Sequence, residues 1–90
     1  MSRSLEEIRN FGPYMVKIMN EIGIYSEKDL LETSYRSIYD KLIAMNIKPH
    51  LLIFYSIDMG LQDRKWNDIT PSEKEEIKKV LNSGLEKDSI

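Results

Sequence analysis

The chain has 90 residues and a mass of 10.6 kDa, with 13 Lys and Arg against 15 Asp and Glu, a formal charge of −2, and no cysteine. That length holds one small domain and excludes a second. The missing thiols and the single His50 exclude a disulfide framework, a thiolate metal centre and an imidazole cluster, so neither a metal nor a cofactor is expected. A free-standing nonspecific nucleic-acid binder would be strongly basic, so any contact with a polyanion here must come from a local patch.

Apolar residues recur at helical spacing along nearly the whole chain, and strand-length alternation is missing. The expected class is therefore all-α, a compact bundle of five or six short helices. Ser4 is placed to cap a first short helix carrying Leu5 and Ile8, stopped by the turn Asn10-Phe11-Gly12. Pro13 opens a second helix with Met15, Ile18, Met19 and Ile22 as its inward stripe and Gly23 as its stop. Ser26 and Asp29 resemble a capping box ahead of a third helix around Leu30 and Leu31, ending near Thr33. Ser34 caps a fourth, with Tyr35, Ile38, Tyr39, Leu42 and Ile43 on one face, running to about Asn46.

After Pro49, the segment from His50 to about Gln62 is apolar nearly all round, as a central helix surrounded by the others must be. Gly60 within it costs about 1 kcal/mol relative to Ala, a loss most easily offset where another backbone approaches closely. Thr70-Pro71-Ser72-Glu73 is the clearest helix start in the chain, and Ile77, Val80 and Leu81 follow as its inward residues. One domain is expected over 1–90, with its core over about 5–82 and a polar, fraying tail over 83–90. The first twenty residues form no apolar leader and no apolar run approaches a membrane span, so the expected location is soluble and cytoplasmic.

The most informative stretch is Ile8-Arg9-Asn10-Phe11-Gly12-Pro13-Tyr14, which has the form of a helix-hairpin-helix. Backbone N–H groups of Gly12 and Tyr14 at the start of the second helix can hold a phosphate, with Asn10 in the turn and Arg9 and Lys17 as charge partners. The plainer alternative is that Gly12 permits a close turn while Phe11 plugs the core. Asn10 stands where the pattern usually has glycine; it tolerates left-handed geometry but adds bulk. Trp66, the only tryptophan, either locks the last helix down or anchors a partner, and Tyr25 and Tyr39 are further aromatic candidates for either role. His50 has no neighbouring Ser, Cys or Asp to suggest a triad, and Asp58 reads as part of a solvated stripe with Gln62. Catalysis would need an open cleft holding His50 and Asp58 together.

Four pieces carry a resemblance: Ile8-Arg9-Asn10-Phe11-Gly12-Pro13, then Glu21-Ile22-Gly23-Ile24 with Asp29-Leu30, then Tyr55-Ser56-Ile57-Asp58-Met59-Gly60-Leu61, then Lys65-Trp66-Asn67-Asp68-Ile69. In their order and spacing, over about residues 5 to 82, they resemble the C-terminal domain of the TfoX/Sxy family of bacterial competence regulators. The resemblance implies an all-helical domain with a helix-hairpin-helix-like core and no catalytic centre, in proteins linked to the control of DNA-uptake genes. The expected action is contact with another protein, or with a second copy as a homodimer. The alternative is weak DNA binding through the turn at Asn10 to Tyr14.

Overall fold

Three of the loop-to-helix entries that the sequence marks, at Ser26, Ser34 and Thr70, have a side chain that accepts one of the first free N–H groups. Ser26 Oγ accepts the Asp29 N–H at 3.4 Å, and Ser34 Oγ accepts the Ser37 N–H at 3.1 Å. Thr70 Oγ1 accepts the Glu73 N–H at 3.2 Å while Glu73 Oε1 accepts the Thr70 N–H at 3.0 Å, a complete capping box. The computed structural model describes the backbone of residues 3–88 and the side chains of residues 3–82. Among the described residues five α-helices form: α1 Pro13–Glu21, α2 Glu27–Glu32, α3 Tyr35–Ala44, α4 Leu51–Leu61 and α5 Pro71–Asp88. Short 3₁₀ turns at Leu5–Glu7 and Trp66–Asp68 complete the order. Among the described residues no strand forms, only one isolated antiparallel bridge between Ser4 and Ser26. The protein is all-α.

The helix apolar on every side is the spine. Phe54, Ile57 and Met59 of α4 are essentially without exposure. The Phe54 ring meets Tyr35 edge-on at 5.8 Å and stacks with Tyr39 at 6.4 Å between centroids, which fixes α3 against α4. Met15, Ile18 and Met19 from α1, Ile38 and Leu42 from α3, and Ile77 and Leu81 from α5 close the same core. Gly60 sits where the spine meets the N-terminal turn: a Cβ there would run into the Arg9 carbonyl oxygen and approach Ile8 Cγ2 at 2.9 Å. The close backbone approach expected from a glycine inside this helix is present.

Three expectations are corrected. The first helix shrinks to a single 3₁₀ turn, because Ile8 turns extended (φ −79°, ψ 130°) to bury its side chain and deliver the Arg9 carbonyl to Gly60. The hairpin thus has one helix, α1, and a short turn in place of its partner. Leu51 and Leu52 at the start of the spine are open, so α4 is enclosed only from Ile53 onward. Ile43 and Val80 lie at the edges of their inward stripes and are about half exposed. The tail expected to fray over 83–90 lies outside the residues whose side chains are described.

Candidate interaction surface

The hairpin is held by Asn10. Its backbone is left-handed, at φ 75°, whereas Gly12 is extended at φ −89° and has open space around its Cβ position. The residue that makes the turn is therefore Asn10, and Gly12 serves as the N-cap of α1. The Asn10 amide donates to the Arg64 carbonyl at 2.9 Å and to the Ser56 carbonyl at 3.4 Å, and its Oδ1 accepts the Trp66 N–H at 3.0 Å. These bonds fasten the turn to α4 and to the loop after it, and they commit the side chain inside the molecule. Phe11 is buried, as a core plug should be. Arg9 and Lys17 are exposed, as is Tyr14 at the start of α1, where Val16 is the first residue to donate back, to the Gly12 carbonyl at 3.1 Å.

Two surface clefts flank α1. One, of about 760 Å³, is bordered by Phe11, Pro13, Val16 and Tyr25, with Lys17, Glu6 and Glu21 also lining it. The other, of about 540 Å³, lies between the hairpin, the start of α4 and the second 3₁₀ turn. Tyr14, Met15, Leu52, Ile53 and Trp66 give it an apolar lining, with Asn10, His50 and Ser56 as its polar groups. Tyr14 is 59% exposed, Leu52 50% and Trp66 48%. Of the two roles open to Trp66, locking the last helix down would call for a buried ring. Its backbone is held by Asn10, but its ring stands half open on this cleft. Tyr25 is exposed beside the first cleft. Tyr39 is half-buried, packed on Phe54 with the Arg36 guanidinium 4.9 Å above its ring, so its contacts are internal.

The titratable groups point to scaffolding. Tyr35 donates its hydroxyl to Asp58 Oδ1 at 2.8 Å, and burial followed by that bond pushes the phenol well above its ordinary range. Gln62 Nε2 donates to Asp58 Oδ2 at 3.3 Å. Glu73 is held down at about 2, chiefly by the Arg64 guanidinium and next by the Thr70 N–H. His50 and Asp58 line different depressions. Among the described residues no group of three His, Asp or Glu side chains is arranged to hold a metal ion. Sequence reasoning did not single out Leu52 as a surface residue. The available signal was the excess of apolar residues at the start of α4, more than a helix end can bury.

The fold defines a class: a small all-helical domain built on a spine helix, with a turn-and-helix hairpin fastened to it by Asn10. The chain belongs to the TfoX C-terminal domain family, whose model it matches over residues 1–81. That family is a competence-related, regulatory type of helical domain. Comparison with curated proteins and with solved structures gave no match. Among the described residues no helix is long and apolar enough to cross a membrane.

Proposed function

We propose that this domain is a non-enzymatic regulatory module that binds a protein partner through the face formed by Tyr14, Leu52 and Trp66. The observation that carries the reading is the convergence of three large, half-exposed apolar side chains from three separate segments on one cleft. Isolated exposed apolar residues are ordinary, but a contiguous set with Trp and Tyr in it is the composition of an interface centre. Placing a photo-crosslinking amino acid at Tyr14 or Leu52 in cells should give protein adducts, and the same group at Glu75 on α5 should give none. Equal yields from all three positions would end the reading.

The second reading, weak DNA binding, has its own support in the exposed start of α1 beside Arg9 and Lys17. With about two phosphates contacted, the logarithm of affinity would fall with that of salt at a slope near −2. Several features work against it: the hairpin lacks its first helix, Asn10 is committed internally, and Glu6 and Glu21 line the same cleft as Lys17. Fluorescence anisotropy with a labelled duplex at low salt is expected to show no binding sensitive to Arg9→Glu with Lys17→Glu.

A further inference from the structure

Three exposed cations stand next to, or two positions from, residues that line the Tyr14–Leu52–Trp66 cleft. Arg9 immediately precedes the lining residue Asn10, Lys65 immediately precedes Trp66, and Lys48 lies two positions before His50. All three cations are exposed, and none forms an ion pair among the described residues. The three other arginines are engaged: Arg3 with Glu27 and Asp63, Arg36 with Asp40, Arg64 with Glu73. Several carboxylates of the neighbouring segments are engaged or line another cleft. Glu7 accepts from Ser4, Asp63 from Arg3 and Asp58 from Tyr35; Glu6 lines the other cleft. Asp68 lies beside the Arg64 guanidinium, which donates to its carbonyl at 2.9 Å. No carboxylate lines this cleft.

We infer that the occupant of this cleft is an acidic amphipathic helix of a partner protein, with large apolar side chains seated between Tyr14, Leu52 and Trp66 and flanking carboxylates facing Arg9, Lys48 and Lys65. The inference rests on the protein-binding reading above and adds the partner's chemistry. Complementary charge around an apolar centre is how an interface selects and orients a partner. A second copy is disfavoured as occupant, because a two-fold contact through this face would bring the same three cations together. A single-stranded nucleic acid would use Tyr14 and Trp66 as stacking platforms, but Met15, Leu52 and Ile53 suit aliphatic and aromatic side chains better than bases.

The test uses the full chain labelled with ¹⁵N and three synthetic amphipathic helical peptides of roughly 18 residues that share one Leu and Phe face. Their flanks carry Glu, Gln or Lys, and an oligothymidylate serves as the fourth probe. The Glu peptide should shift the Tyr14 and Leu52 amides and the Trp66 indole, and bind about tenfold tighter than the Gln peptide, with the Lys peptide weakest. Arg9→Glu, Lys48→Glu and Lys65→Glu together should erase the advantage of Glu over Gln while leaving the circular dichroism unchanged, since all three are surface side chains. Equal binding of Glu and Gln peptides at this cleft would overturn the acidic partner and leave the apolar docking face standing. No shift with any peptide at millimolar concentration would overturn both. Tighter binding of the oligothymidylate than of the Glu peptide at the same residues would overturn the inference in favour of nucleic acid.

Discussion

At Asn10 one side chain satisfies three backbone groups while its own backbone stays left-handed, and these two properties can be separated by substitution. Asn10→Gly keeps the backbone geometry and loses the bonds, a cost of about 1–2 kcal/mol. Asn10→Ala loses both and should cost about 1 kcal/mol more. Urea denaturation of the two variants checks the order; an alanine variant as stable as the glycine variant would show that the turn does not depend on left-handed geometry. Gly60→Ala is the companion case. Alanine normally favours a helix interior, yet here its Cβ would strike the Arg9 carbonyl, a backbone atom that cannot swing aside. The variant should therefore be less stable by about 2 kcal/mol, opposite in sign to the propensity scale. The left-handed tolerance of Asn10 and the crowding at Gly60 were legible because each is a property of the residue type. The partners of Asn10, at Ser56, Arg64 and Trp66, were not, since they lie 46 to 56 positions away and only the completed fold brings them near.

Helix starts are local events, which is why Ser26, Ser34 and Thr70 mark α2, α3 and α5 without any knowledge of the fold. What docks α5 is not local. Arg64, in the loop before it, donates to both oxygens of Glu73 at 2.8 and 3.2 Å, and Glu73 also closes the Thr70 capping box. In the folded protein Glu73 titrates at about 2, below the ordinary 4.5 it regains on unfolding. A carboxylate lowered in this way adds stability that is fully present above pH 4.5 and is lost as pH falls through about 2. Glu7 and Glu27, lowered by Ser4 and Arg3 respectively, act in the same direction. The urea midpoint should thus decline steadily below about pH 4.5, and Arg64→Gln should flatten that decline by returning Glu73 toward its ordinary range. An unchanged slope in Arg64→Gln would assign the acid sensitivity to the Arg3 cluster. The shrinkage of the first helix belongs to the same scale: local propensity favoured a helix through Ile8, and the need to bury Ile8 against the spine prevailed.

For the molecule as a whole, the formal charge of −2 includes exposed cations at Arg9, Lys48 and Lys65, and these bear on how the domain should behave toward copies of itself. The all-helical class was readable because periodicity reports burial averaged over a helix. Which side of the bundle stays open was not, because Trp66 and Leu52 carry the same apolar signal whether covered or bare. Two associations compete for the open face, and salt acts on them with opposite sign. Contact with an acidic helix gains from attraction and weakens as ions screen it over a Debye length of about 10 Å at 0.1 M. Pairing of two copies through the face opposes like charges at Arg9, Lys48 and Lys65, so screening would promote it. Light scattering after gel filtration should give the 10.6 kDa monomer at low ionic strength, with any dimer appearing only as salt is raised and disappearing in Trp66→Ala. A dimer present at low salt and abolished by Trp66→Ala would identify a second copy as the natural occupant, because only a contact strong enough to overcome that repulsion could form there.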